Sequence, residues 1–105
     1  MRRREFVGWS SPPLLVLGAL AGGPLHGYGI IQQVQRATGI TLGAGTLYAA
    51  LSRLEGEGLV RALPATDRRR PYELTGHGAQ ELRTKVDEMS GFAASTAARL
   101  AGGTA

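Results

Sequence analysis

Three consecutive arginines, Arg68, Arg69 and Arg70, fall on a turn between two short strand-like runs. A guanidinium is planar, permanently charged and able to grip a phosphate with two parallel N–H donors. Such a cluster at a hairpin tip suits a phosphate or minor-groove clamp, the plainer alternative being a solvated loop. Upstream, Thr46, Tyr48, Ala49 and Arg53 lie at helical spacing. A hydroxyl and backbone N–H at a helix start can hold a phosphate, and small side chains let a helix approach a surface closely. Tyr48 falls off the Leu47–Leu51–Leu54 stripe, so its hydroxyl is expected to face a phosphate rather than the core. Arg53 has two open roles, contact with DNA or an i, i+4 pair with Glu57.

Other chemistry is poorly supplied. The chain has no cysteine, which excludes disulfides, thiolate metal sites and thiol nucleophiles. His26 and His77 have no carboxylate or second histidine at ligand spacing, so both read as structural and neither metal nor cofactor is expected. Glu55 and Glu57 stand two apart on a helix and point in different directions, which rules out a carboxylate dyad. No serine carries a base-bearing motif. The expectation is a binding protein and not an enzyme.

Charge has the same address as the arginine turn. The formal net charge is +4 over 105 residues, and every cation except Lys85 is arginine. The excess is concentrated in Arg2, Arg3 and Arg4 at the N-terminus and in the segment holding Arg61 and Arg68–Arg70. Arg3-Arg4-Glu5-Phe6-Val7 also resembles a twin-arginine export signal, with Leu14–Leu20 apolar and Ala19-Leu20-Ala21 imitating a cleavage site. An exported small protein is therefore one alternative. The other reading is a basic arm before a buried helix, in a cytoplasmic protein. The apolar run is too short for a membrane span, which takes about 20 residues.

The elements that must position these residues can be read from capping and periodicity. Pro12-Pro13 open a first helix with Ser10 or Ser11 as its cap, and Gly22-Gly23-Pro24 end it. Leu14, Leu15, Leu17 and Leu20 cover most of its circumference, so it is expected to be buried. A second helix runs from about Gly27 to Ala37, with Tyr28, Ile31, Val34 and Ile30 inward. A third runs from about Gly45 to Gly56, its leucine stripe inward and Thr46, Ala49, Ala50 and Arg53 outward. Leu59–Leu63 and Pro71–Leu74 form a hairpin around the turn Pro64–Arg70. Thr75 caps a last helix from about Gly78 to Leu100.

Three helices followed by a hairpin with a basic tip make a winged helix-turn-helix: mainly α (α+β), with a two-stranded wing and a long C-terminal helix. In that plan the third helix enters the major groove of double-stranded DNA and the hairpin reaches the backbone or minor groove. The chain divides into a basic arm (1–10), a winged-helix DNA-binding domain (11–75) and a C-terminal dimerisation helix and tail (76–105). A winged-helix module that docks proteins instead of DNA is the alternative from another class, and such modules tend to lack a basic wing tip.

The last helix carries Leu82, Val86, Met89, Ala93, Thr96 and Leu100 at alternating spacings of four and three, a heptad-like seam. Its two open fates are burial against a second copy, giving a homodimer, or folding back on its own core.

Leu14-Leu15-x-Leu17-Gly18-x-Leu20, continued by Gly23-Pro24-x-His26-Gly27-Tyr28-x-Ile30, resembles the start of PadR-type transcriptional regulators. Gly45-Thr46-Leu47-Tyr48-x-x-Leu51-x-Arg53-Leu54-Glu55-x-x-Gly58-Leu59-Val60 and Arg69-Arg70-x-Tyr72-x-Leu74-Thr75-x-x-Gly78 match two further blocks of that family in order. The resemblance covers about residues 14–82. It implies a homodimeric repressor reading a pseudo-palindromic operator, with Leu14–Leu20 as a core helix. Two departures stand out: Gly43 and Ala44 replace the usual Ser-Pro, removing a cap hydroxyl, and Ala49 replaces a common proline. The chain resembles the compact subgroup with a single C-terminal helix, some of whose members bind flat apolar effectors at the dimer interface against an aromatic residue. Met89 occupies the matching position, with Val86 and Phe92 nearby, a candidate effector pocket whose matching position holds a methionine in place of the aromatic ring; the lone Trp9 falls in the N-terminal arm.

Overall fold

The computed structural model describes residues 9–102. Arg2, Arg3 and Arg4, and the export-like motif that includes them, lie outside those residues. The chain runs α1 (Pro12–Ala19), a 3-10 turn (Leu20–Gly22), β1 (Leu25–His26), α2 (Gly27–Thr38), α3 (Ala44–Gly56), β2 (Val60–Ala62), β3 (Pro71–Leu74) and α4 (Gly76–Ala101). It is a winged helix-turn-helix with a long last helix.

Helix α1 begins on two prolines, which suit a first turn whose N–H groups lack helical partners anyway. Ser11 is its N-cap residue but makes no side-chain capping bond. Leu15, Val16, Leu17 and Ala19 are buried, as expected for a helix apolar on most sides. Against it pack Ile30 and Val34 of α2 and Leu47, Ala50, Leu51 and Leu54 of α3.

Two assignments of facing are corrected by this packing. Tyr28, expected inward, is 63% exposed. Gly27, Gly29, Ile30 and Val34 of α2 are buried, and Tyr28 stands two residues, about 200° of helix rotation, from Ile30. Ile31 is half-buried. Ala50, expected on the outer face of α3, is buried, because three inward leucines at i, i+4, i+7 leave the intervening i+3 position on the same side.

The sheet has three antiparallel strands in the order β1-β3-β2. The expected two-stranded wing is thus extended by β1, which pairs Leu25 with Tyr72 and His26 with Pro71. On the other side Val60 faces Leu74, Arg61 faces Glu73 and Ala62 faces Tyr72. Strand β2 starts one residue later than expected, because the Leu59 N–H caps α3 by donating to the Leu54 carbonyl at 2.9 Å. With Gly58 N–H on the Glu55 carbonyl at 3.0 Å, this closes α3 in a Schellman motif.

Thr75 joins the wing to α4. Its hydroxyl donates to the Gly58 carbonyl at 2.6 Å and accepts from the Gly78 N–H at 2.9 Å. Its own N–H donates to the Leu59 carbonyl at 3.1 Å. The helix it caps has 26 residues, about 39 Å at 1.5 Å per residue. Only the first part of α4 reaches the core, and the long dimension of the described chain is 59 Å against 31 and 26 Å.

Candidate nucleic-acid interface

The arginine turn closes as a tight hairpin. Thr66 and Arg69 exchange backbone hydrogen bonds of 2.7 and 2.9 Å around Asp67 and Arg68. Both central residues have positive φ, 51° and 64°, the pattern of a type I′ turn, whose twist matches that of the flanking strands. Glycine or asparagine usually fills these sites, so the wing carries a charged residue where backbone cost is highest.

The three wing arginines are not equivalent. Arg70 Nη1 donates to the Leu63 carbonyl at 2.9 Å, tying that side chain to the base of its own hairpin. Arg69 Nη1 lies 3.1 Å from Nε2 of His26. Arg68 has no hydrogen-bond or ion-pair partner among the described residues.

One open cleft of about 320 Å³ brings together three elements: His26 and Tyr28 at the start of α2, Tyr48 of α3, and the wing with Arg68–Arg70 and Tyr72. Strand β1 is what makes this possible, since its pairing with β3 holds the start of α2 against the wing. Gly27 is the floor, and a β-carbon there would collide with the Tyr48 hydroxyl. Tyr48 is half exposed at 50%, consistent with its place off the leucine stripe. No carboxylate lines the cleft. Tyr72 has its phenol pushed above the usual value, first by burial and then by the negative charge of Glu55 and the proximity of Tyr48, with Arg70 acting in the opposite sense.

Thr46 and Ala49 are exposed on α3 beside Tyr48. Arg53 is not brought to the cleft. It resolves to an ion pair with Glu57 at 3.1 Å and lines a different groove, between α1, α3 and α4. His26, Tyr28 and Tyr72 enter the site without having been singled out as DNA-contacting. A signal for His26 did exist: no Ser, Thr, Asp or Asn precedes Gly27, which leaves the imidazole in the N-cap position. Its Nδ1 accepts from the Gly29 N–H at 3.3 Å.

A separate groove is apolar. Trp9, Leu14, Gly18, Val34, Val86 and Met89 are among the residues lining a groove of about 230 Å³ between α1, α2 and α4. Trp9 therefore does not stand apart from Met89, as its position in the chain suggested, but shares a groove with it. Phe92 does not line that groove and is 74% exposed. Leu82, an expected subunit-interface residue, packs in its own chain's core, where α4 crosses α1. Val86, Ala93 and Leu100 are exposed, and Met89 and Thr96 are half-buried. No helix of the described residues is long and apolar enough to cross a membrane.

The sequence model of the transcriptional regulator PadR-like family matches residues 16–84. A PadR family transcription regulator from Clostridium difficile superimposes with a TM-score of 0.74 at 26% identity, covering 89% of this chain and 99% of that one. Bacillus subtilis PadR, solved in complex with operator DNA, gives 0.62 at 26% identity, covering 74% of this chain and 48% of that one. In sequence, the chain is 47% identical over 77 residues to an uncharacterized 37.1 kDa protein in transposon TN4556 of Streptomyces fradiae. That match takes in 73% of this chain and 22% of the relative, so the chain spans about a fifth of that protein's length.

Proposed function

The chain belongs to the PadR-like family of transcriptional regulators, and from that premise we propose that it is a homodimeric, cytoplasmic repressor that occludes a promoter by binding a pseudo-palindromic operator. The observation that carries the reading is the single cleft in which Tyr48 of α3 meets Arg68, Arg69 and Arg70 of the wing. A helix start with small exposed residues and a cationic hairpin beside it can straddle a phosphate backbone. Ala49 then faces base edges, while Thr46 and the wing hold phosphates. Arg53, paired with Glu57, is assigned a minor share. The likeness to a PadR solved on operator DNA supports the same partner.

Residues 11–75 are the DNA-reading part in this proposal, and 76–105 the dimerisation part. Val86, Met89, Ala93 and Leu100 continue a heptad-like seam past the point where Leu82 meets the core. A second copy covering it would set two recognition helices about 34 Å apart, one turn of B-DNA. A flat apolar effector bound between the protomers would meet Met89 and Val86, with Trp9 supplying the ring that the Met89 position lacks.

The test is binding of the purified protein to its own upstream DNA and to a scrambled duplex at two salt concentrations. Preference for the upstream sequence and steep salt weakening are expected. Replacing Arg68, Arg69 and Arg70 together by Ala should flatten the salt slope, and an unchanged slope would remove the wing from the interface. Sedimentation of the same sample reads the dimer. Trp9 fluorescence during titration with planar aromatic compounds reads the effector.

A further inference from the structure

The contacts of His26 contain a contradiction that a ligand would resolve. A neutral imidazole has one nitrogen able to accept and one that carries a hydrogen. Yet both ring nitrogens of His26 face groups that can only donate. The Gly29 N–H points at Nδ1 from 3.3 Å, and the Arg69 guanidinium stands 3.1 Å from Nε2. Whichever tautomer is present, one of these contacts sets donor against donor. With Nδ1 capping α2, the hydrogen on Nε2 and the N–H groups of Arg69 converge without an acceptor between them. The rest of the lining offers none that is charged: Arg68 and Arg70 from the wing, Tyr72 from β3, Tyr48 from α3 and Tyr28 from α2.

We propose that His26 is a direct, proton-linked ligand for a backbone phosphate of bound DNA, shared with Arg69 and the hydroxyl of Tyr48. The inference rests on the DNA-binding reading and adds to it both a ligand and a regulation. A phosphate oxygen entering the cleft gives the Nε2–H and the guanidinium a common acceptor. It also makes the doubly protonated ring a fitting partner, because a cationic imidazole beside an anion strengthens the contact. The second proton sets Nδ1–H against the Gly29 N–H, so the ring must turn off its cap. The ion pair with the phosphate has to outweigh that lost bond for the ring to take one proton from solvent per chain. DNA affinity therefore rises as pH falls through the range in which histidine titrates.

Affinity for the upstream duplex is measured by fluorescence anisotropy at pH 6 and pH 8 and constant ionic strength. Calorimetry in two buffers of different ionisation enthalpy counts the protons. The wild-type protein is expected to bind at least about threefold more tightly at pH 6, with net proton uptake. His26→Asn retains a residue suited to capping α2 and cannot titrate. It is expected to lose both the pH increment and the uptake, whereas His77→Asn keeps them. Circular dichroism verifies that both variants are folded. An equal pH slope in His26→Asn, or no proton uptake by the wild type, would overturn the proposal while leaving DNA binding intact. Absence of duplex binding at every pH would overturn the DNA reading and this inference with it.

Discussion

The hydroxyl of Tyr48 occupies the space that a β-carbon on Gly27 would need. This contact joins the first residue of α2 to the exposed edge of α3, beside the wing that β1 holds in place. A residue with no side chain is therefore what sets the position of a candidate phosphate ligand.

Gly27→Ala tests that relationship. The colliding atoms are the far end of a half-exposed tyrosine, so Tyr48 should swing away while the core stays packed. The expected result is a Tm close to wild type and DNA affinity lower by about tenfold, the worth of roughly 1 to 1.5 kcal/mol in hydrogen bonding. A thermal melt and an anisotropy titration read the two effects. A large drop in Tm with unchanged affinity per folded molecule would contradict it.

Arg68 sits at φ 64°, where a β-carbon is costly by about 1–2 kcal/mol. Arg68→Gly should tighten the hairpin, seen as slower hydrogen exchange at the Thr66 and Arg69 amides, which bond across the turn. The same change removes one cation, so the slope of log affinity against log salt should fall by about one. Arg68→Ala should lose the same slope without gaining the protection. Stability and binding thus move in opposite directions at one residue.

Thr75 and Gly78 are expected to matter for stability alone. Thr75→Val keeps the shape of the side chain but deletes the bonds to Gly58 and Gly78, costing about 1–3 kcal/mol. Gly78→Ala is expected to cost more than an ordinary surface change, because its β-carbon would meet the Leu59 carbonyl, a backbone group that cannot step aside. Urea unfolding curves of both variants, compared with wild type, measure the losses.

Tyr72 carries the pH dependence that the folded chain itself predicts. Its phenol is raised above 10.0 by burial, Glu55 and Tyr48, so the folded state holds that proton more tightly than the unfolded chain. The associated stability is fully present below the ordinary phenol value and is lost as pH climbs through the raised one. Wild-type protein should therefore lose more stability between pH 9 and pH 11 than Tyr72→Phe. Equal losses in denaturant titrations would show that the burial of this hydroxyl is energetically silent.

The amino-acid sequence by itself determined the helices, their caps and the basic turn, because those depend on neighbours within a few positions. Pro12-Pro13, the Leu47–Leu51–Leu54 stripe and Thr75 before Gly76 carry their meaning locally, through φ restriction, helical period and a hydroxyl near free N–H groups. The tertiary structure alone decided which faces meet. Leu25 and His26 form a strand only because β3 lies alongside to satisfy their backbone groups, and two residues have no strand period to read. That pairing brings His26 to Arg69, 43 positions away in the chain, and separates three adjacent arginines into distinct environments. Leu82 was likewise legible as apolar and seam-like, but whether it met its own α1 or another copy depended on where the wing directed α4. Local chemistry sets what each residue can do; long-range packing sets what each residue faces.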